Sequence, residues 1–199
     1  MGNGVLRSVK SAAHGRLIRV GIDIRRLRPD RKVLERVIFP FLLEAPSCRR
    51  ILFVGCAWYT QHYPWIFGSR EFWTLECDAT QARFGSPRHI VDRCERVATH
   101  FPPDSLDAVI CNGVYGYGLN DETSLRCTID GFRAVLRTRG LLVFGWNNVP
   151  PNDPLGMGRE DFRTKIFNGF TPMRSPPLGE SHHEIPCRNR HTYEFLERA

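Results

Sequence analysis

The chain has 199 residues, 42% of them hydrophobic, and a formal charge of +7 at pH 7 from 28 basic and 21 acidic side chains. That length and apolar share build one domain with a core and leave no room for a comfortable second; no apolar run approaches the roughly 18 residues of a membrane span. The basic excess is nearly all arginine, with lysine only at Lys10, Lys32 and Lys165, and it is scattered rather than striped, so a small anionic substrate explains it as well as a nucleic acid does.

The first stretch, residues 1–22, is basic without an acid, which superficially resembles a transit peptide. A flexible basic arm over 1–28 followed by one domain over 29–199 is the expected organisation. Leu6 stands where a myristoylation signal needs Ser or Thr. The cysteines at 48, 56, 77, 94, 111, 127 and 187 are widely spaced, odd in number and without a C-x-x-C pair, so reduced thiols in a cytosolic protein and no metal site are expected.

The spacing of Val33, Leu34, Val37, Ile38, Phe41 and Leu42 predicts a helix over 29–45, with Pro29 near its start and Pro40 expected to kink or end it. Four consecutive apolar residues, Ile51 to Val54, then suit a strand at 50–55 buried on both faces. Gly55 ends it. At the carboxyl end of a parallel strand a glycine lets backbone approach a ligand closely, and the next helix offers free N–H groups. A dinucleotide asks for G-x-G-x-x-G, whereas the corresponding positions here are Gly55, Ala57 and Thr60 with Trp58 and Tyr59 between, so a pyrophosphate fits poorly. A ligand with a ribose and a carboxylate but no phosphate makes lighter demands; the alternative is an ordinary tight turn.

A helix opens at 58–63, limited by Pro64, and a second strand at 72–75 ends in Glu76. A carboxylate there accepts both hydroxyls of a ribose lying across the strand ends, while Asp78 is better placed to cap the following helix. The alternative makes both acids solvated turn residues. A short third strand, 89–91, ends at Asp92, which either accepts from an adenine amino group or caps a helix beginning at Arg93. Pro102 to Ser105 form a turn, and the fourth strand, 106–111, runs into Asn112-Gly113-Val114-Tyr115-Gly116-Tyr117-Gly118. These glycines permit close approach, and the tyrosines either face a substrate or fill the gap over the sheet edge. A helix at 124–136, a turn at Arg139-Gly140 and a fifth strand at 141–145 follow. The proline-rich loop from Trp146 and Asn147 to Pro154 is expected to shape a substrate pocket. A helix at 159–168 and strands at 170–173 and 191–196 complete the chain, with His182, His183 and Glu184 in a loop at 176–186.

Taken in order, Leu52-Phe53-Val54-Gly55-Cys56, acidic Glu76, Asp92, Leu106-Asp107-Ala108-Val109-Ile110, Leu136 to Val143 and Tyr193-Glu194-Phe195-Leu196 resemble the class I S-adenosylmethionine-dependent methyltransferases over about residues 48–198. The resemblance implies an α/β, Rossmann-like, seven-stranded, mostly parallel sheet of order 3-2-1-4-5-7-6, strand seven antiparallel, with helices on both faces. It implies S-adenosylmethionine as cofactor, its methionine part near Gly55, Cys56 and Ala57, with Tyr59 in the same set. The ribose falls at Glu76, the adenine between Cys77 and Asp92 with Arg93, and the reacting methyl group near Asn112, Gly113, Val114 and Tyr115. Where the family usually has G-x-G-x-G, this chain has G-C-A-W-Y.

Methyl transfer from a sulfonium is an in-line displacement with a good leaving group, so positioning supplies much of the catalysis and a base is needed only for a nucleophile that must first lose a proton. Tyr115 and His183 are the candidate bases, with His182 as an alternative and Glu184 to orient a histidine; a loop histidine is as readily a solvated surface residue. Tyr117, Trp146 and Asn147 are expected to contact the acceptor. The Asn-Pro-Pro-Tyr arrangement of amino-directed nucleic-acid methyltransferases is absent, since Gly113-Val114-Tyr115 follow Asn112. The expectation is a cytosolic methyltransferase acting on a small molecule, with no membrane partner. The alternatives are an RNA or protein methyltransferase using the basic arm, and a non-catalytic scaffold that binds a partner protein.

Overall fold

The computed structural model describes residues 28–150 and 152–199, so the basic arm expected at the N-terminus lies, apart from Arg28, outside the described residues. Strands β1 (Arg50–Val54), β2 (Glu71–Glu76), β3 (Arg88–Val91), β4 (Leu106–Asn112), β5 (Leu136–Asn147), β6 (Phe170–Pro172), β7 (His182–Glu184) and β8 (His191–Arg198) form one sheet of order β3-β2-β1-β4-β5-β8-β6, with β7 also paired to β8. The first five are parallel, and β8 runs antiparallel to β5.

The apolar run of β1 divides between two cores because strand side chains alternate. Leu52 and Val54 join Leu125, Ile129, Phe132 and Val135 of helix Glu122–Val135 on one face. Ile51 and Phe53 meet Leu34, Ile38, Phe39 and Leu42 of the first helical segment on the other. Helices therefore cover both faces, as a parallel sheet requires. Among the described residues no helix is long and apolar enough to cross a membrane.

Two local expectations are corrected and one is narrowed. Of the two outcomes expected at Pro40, the helix does not end there but turns irregular just before it: a π turn, Leu34–Ile38, sits between helices Pro29–Val33 and Phe39–Glu44, and the Phe39 N–H bonds to the Leu34 carbonyl five residues back. The wider turn accommodates the proline ring and its missing donor. Arg139-Gly140 is not a turn before a strand but a bulge within β5: Leu106 pairs with Leu136 and Ala108 with Leu141, and Arg139 takes a φ of 61°. His182, His183 and Glu184 are not in a loop but form β7, paired with Glu194, Tyr193 and Thr192.

This last change makes eight strands of the expected seven without altering the order. The strand expected as seventh is β8, and its outer edge is shared by β6 and β7. Pro176 and Pro177 lie on the segment between those two, and residues without an N–H cannot carry a ladder across it.

Candidate functional site

In a sheet of this order the chain crosses from one side of β1 to the other on reaching β4, and the crevice beyond the carboxyl ends of those two strands is where ligands bind. Gly55 opens it. Its φ is +94°, its N–H donates to the Leu75 carbonyl at 3.0 Å, and a Cβ there would lie 2.9 Å from Val114 Cγ2. Both the conformation and the approach demand glycine.

On the β2 side of this crevice is a cavity of about 360 Å³, with Leu75, Val114 and Leu119 as apolar walls and the carboxylates of Glu76 and Asp92 among its polar groups. Glu76 is held by its surroundings: Oε2 accepts from the Cys56 N–H at 3.0 Å, and Oε1 accepts from the Asp78 N–H at 3.0 Å and the Cys77 thiol at 3.3 Å. An ionised carboxylate offers about four acceptor sites. The backbone takes two, leaving one free and a second under a weak, rotatable thiol. Asp78 caps the Ala79–Phe84 turn through the Thr80 N–H at 2.9 Å.

Asp92 is committed elsewhere: Oδ1 accepts from the Arg93 N–H and Oδ2 from His100 Nε2, both at 2.8 Å. The hydrogen bond from His100 is the first cause holding this carboxyl below its usual range. Arg93 turns outward to pair with Glu95. Cys56 is buried, and burial pushes its thiol up to about 12, so its backbone rather than its sulfur serves the site. The Ala57 N–H is occupied by Thr60 Oγ1 at 3.1 Å.

On the opposite side of β4 lies a second cavity, of about 660 Å³, walled by Tyr59, Asn112, Gly113, Tyr117 and Asn147, with Arg31 and His191 among its deepest groups. His191 is buried between two carboxamides, 2.8 Å from Asn147 Oδ1 through Nδ1 and 2.9 Å from Asn112 Oδ1 through Nε2. Burial lowers this histidine to about 4, so it is neutral at physiological pH. A neutral imidazole donates from one nitrogen and accepts at the other, so one of the two carboxamides presents its nitrogen to the ring. Asn147 Nδ2 also donates to the Tyr117 hydroxyl at 3.0 Å. Arg31 donates from Nη1 to the Tyr63 hydroxyl at 2.6 Å and lies over the Tyr59 ring, 4.3 Å from its centroid.

The structure thus brings Gly55, Glu76, Cys77, Asp92, Arg93 and Val114 to the first cavity. It brings Tyr59, Asn112, Gly113, Tyr117 and Asn147 to the second, while Cys56 and Ala57 lie on the turn after β1. Three expected residues are elsewhere. Tyr115 is fully buried against Trp146 and Phe162, and its hydroxyl donates to Asp153 Oδ1 at 2.6 Å; it has no access to a substrate. Trp146 is equally buried, packed on Phe162 in the core. His183 and His182 line neither cavity, and His182 bonds to Glu194. Sequence reasoning missed Arg31, His191 and Leu119. His191 had a signal, a polar residue opening an apolar strand; Arg31 had none. Among the described residues no group of three or more His, Cys, Asp or Glu is placed to hold a metal ion.

No protein-family model and no curated protein matches this sequence. Solved structures do. A TehB-like SAM-dependent methyltransferase from Corynebacterium glutamicum superposes with a TM-score of 0.62 at 12% identity, covering 99% of this chain and 100% of its own. The N-methyltransferase NodS from Bradyrhizobium japonicum gives 0.59 at 15% identity, covering 85% of this chain and 98% of its own. A SAM-dependent methyltransferase from Archaeoglobus fulgidus gives 0.58 at 13% identity, covering 83% and 91%. The chain shares the Rossmann-like fold of these proteins.

Proposed function

We propose that the chain is an S-adenosylmethionine-dependent methyltransferase acting on a small molecule. The cofactor's nucleoside occupies the cavity at Glu76, and the acceptor enters the cavity at Asn112 and His191. The observation that carries this reading is the Glu76 carboxylate, fixed by two backbone N–H groups across the ends of β1 and β2 with acceptor capacity left over. The shared fold supports it. So do the bare backbone at Gly55 and the flat apolar walls of Leu75, Val114 and Leu119, which suit a purine.

The bound cofactor supplies a methyl group already activated on a sulfonium. The chain's residues bind and orient. Glu76 accepts from the ribose hydroxyls, Gly113, at φ 71°, borders the acceptor cavity with bare backbone, and Asn112, Asn147 and Tyr117 hold the acceptor in line. No side chain here serves as a strong base, because His191 is held neutral with both nitrogens engaged. Catalysis is therefore by positioning, and the acceptor brings a nucleophile that needs little deprotonation. We further propose a cytosolic protein with a basic arm over 1–28 and one catalytic domain over 29–199.

Calorimetric titration with S-adenosylhomocysteine tests the reading. Saturable binding is expected, weakened by about 10- to 100-fold in Glu76→Ala, the worth of a charge-assisted hydrogen bond. Absence of binding at millimolar ligand would point instead to a non-catalytic scaffold. Salt-dependent RNA binding lost on deleting residues 1–22 would move the acceptor from a small molecule to RNA.

A further inference from the structure

We propose that the methyl acceptor is a small organic acid and that Arg31 seats its oxyanion, carboxylate or phosphate; the proposal rests on the methyltransferase reading above. Arg31 is 9% exposed, and its partners among the described residues are the Tyr63 hydroxyl, which itself donates to Glu35 Oε1 at 3.1 Å, and the Tyr59 ring, with no carboxylate in direct ion-pair range. A buried cation without a counter-ion in contact is costly, and a ring face and a carboxylate one hydroxyl away offset only part of that. A guanidinium also has five N–H donors in a fork that matches an oxyanion, and the hydroxyl uses one of them.

The surroundings favour a net anion over a zwitterion. The wall beside Arg31 is neutral, made of His191, Asn112, Asn147 and Tyr117. An adjoining cavity of about 910 Å³ shares Arg28, Asp30 and Asn189 with it and adds Arg188. Together the two are lined by Arg28, Arg31 and Arg188 against the single acid Asp30. The amino-acid end of the cofactor carries equal and opposite charges and needs no such surplus. Arg31 also stands in the cavity across β4 from Glu76, not in the one that receives the nucleoside.

Titration of the wild-type protein with benzoate, inorganic phosphate and the uncharged benzamide, each with and without saturating S-adenosylhomocysteine, tests this. Benzoate or phosphate is expected to bind at least about tenfold more tightly than benzamide, the strength of one charge-assisted contact. Arg31→Met should abolish that preference and Arg31→Lys retain part of it, with S-adenosylhomocysteine affinity within about twofold of wild type in both. Equal affinity of wild type for the anions and benzamide overturns the proposal without needing a variant. A tenfold loss of S-adenosylhomocysteine affinity in Arg31→Met, with 5′-methylthioadenosine unaffected, also overturns it, by giving Arg31 to the cofactor's own carboxylate. An anion preference in a protein that binds no S-adenosylhomocysteine overturns the methyltransferase reading instead, so the two failures are distinct.

Discussion

Gly145→Ala tests whether the ends of β4, β5 and β8 are locked together by the His191 network. A Cβ at this buried position would stand 2.0 Å from Asn112 Oδ1 and 3.0 Å from His191 Nε2. No left-handed backbone is involved, so the whole effect comes from that contact. Asn112 must swing away and break its 2.9 Å bond with His191, leaving a buried ring nitrogen without a partner. The orphaned group costs about 1–3 kcal/mol, and forcing an extra methyl into a packed site costs about 1–3 kcal/mol more. Together they make roughly 2–6 kcal/mol, and in a domain of this size each kcal/mol moves Tm by about 2–4 °C. A thermal melt should therefore show a drop of roughly 4–24 °C. In an Asn112→Ala background the same glycine replacement should cost less than about 1 kcal/mol, because the clashing group is gone. A single variant melting within about 1 °C of wild type, or additive effects in the pair, would refute the reasoning.

Tyr115→Phe removes the hydroxyl that donates to Asp153 and accepts from the Leu155 N–H, so it should cost about 1–3 kcal/mol in a melt while leaving S-adenosylhomocysteine affinity unchanged. A selective loss of activity without loss of stability would restore a catalytic role to that residue. Alkylation of the native protein at pH 8 should modify the exposed Cys77 and Cys127 and spare Cys48, Cys56 and Cys94, whose thiols burial pushes up to about 12; peptide mass spectrometry reads the sites. His191 titrates at about 4 when folded against 6.5 as its ordinary value, so between these the unfolded chain binds more protons and stability falls as the pH drops from 6.5 towards 4. The loss is up to about 3 kcal/mol. His89, also lowered by burial, adds in the same direction, so denaturant melts of His191→Gln should show a shallower slope over this window, not a flat one.

The parts legible in the sequence are those whose signal is local. Ile51 to Val54 announce a central parallel strand because both faces need apolar residues, and both cores receive them. Glu76 is legible by position alone, at the end of the strand beside β1. Arg139 was misread because a turn and a bulge both use a left-handed residue, and only the pairing of Leu106 with Leu136 tells them apart. His182 to Glu184 carry no apolar alternation; they pair because β8 offers them an open edge. Tyr115 and Tyr117 look equivalent on either side of Gly116. What separates them is distant in the chain: Phe162 packs on the first, its centroid 5.3 Å away, and Asn147 bonds the second. Arg31 was illegible for the same reason, since nothing beside it in sequence marks it as buried.

The departure from the usual glycines after β1 becomes intelligible on these terms. Beyond Gly55 the turn bonds to itself: the Thr60 N–H donates to the Ala57 carbonyl at 2.8 Å, and the Ala57 N–H donates to Thr60 Oγ1 at 3.1 Å. Backbone donors spent in this way are not offered to a phosphate, so only the position where Val114 crowds the chain has to be bare. Of the bulky residues that follow, Tyr59 faces the other cavity, where it carries the guanidinium of Arg31 on its ring. One turn thus presents naked backbone to the Glu76 side and an aromatic platform to the Arg31 side. Returning a glycine to position 59 would remove the platform from a buried cation, and the turn's hydrogen bonds would stay as they are. On the proposed reading, the missing glycines mark a second site built next to the first rather than a lost nucleoside site.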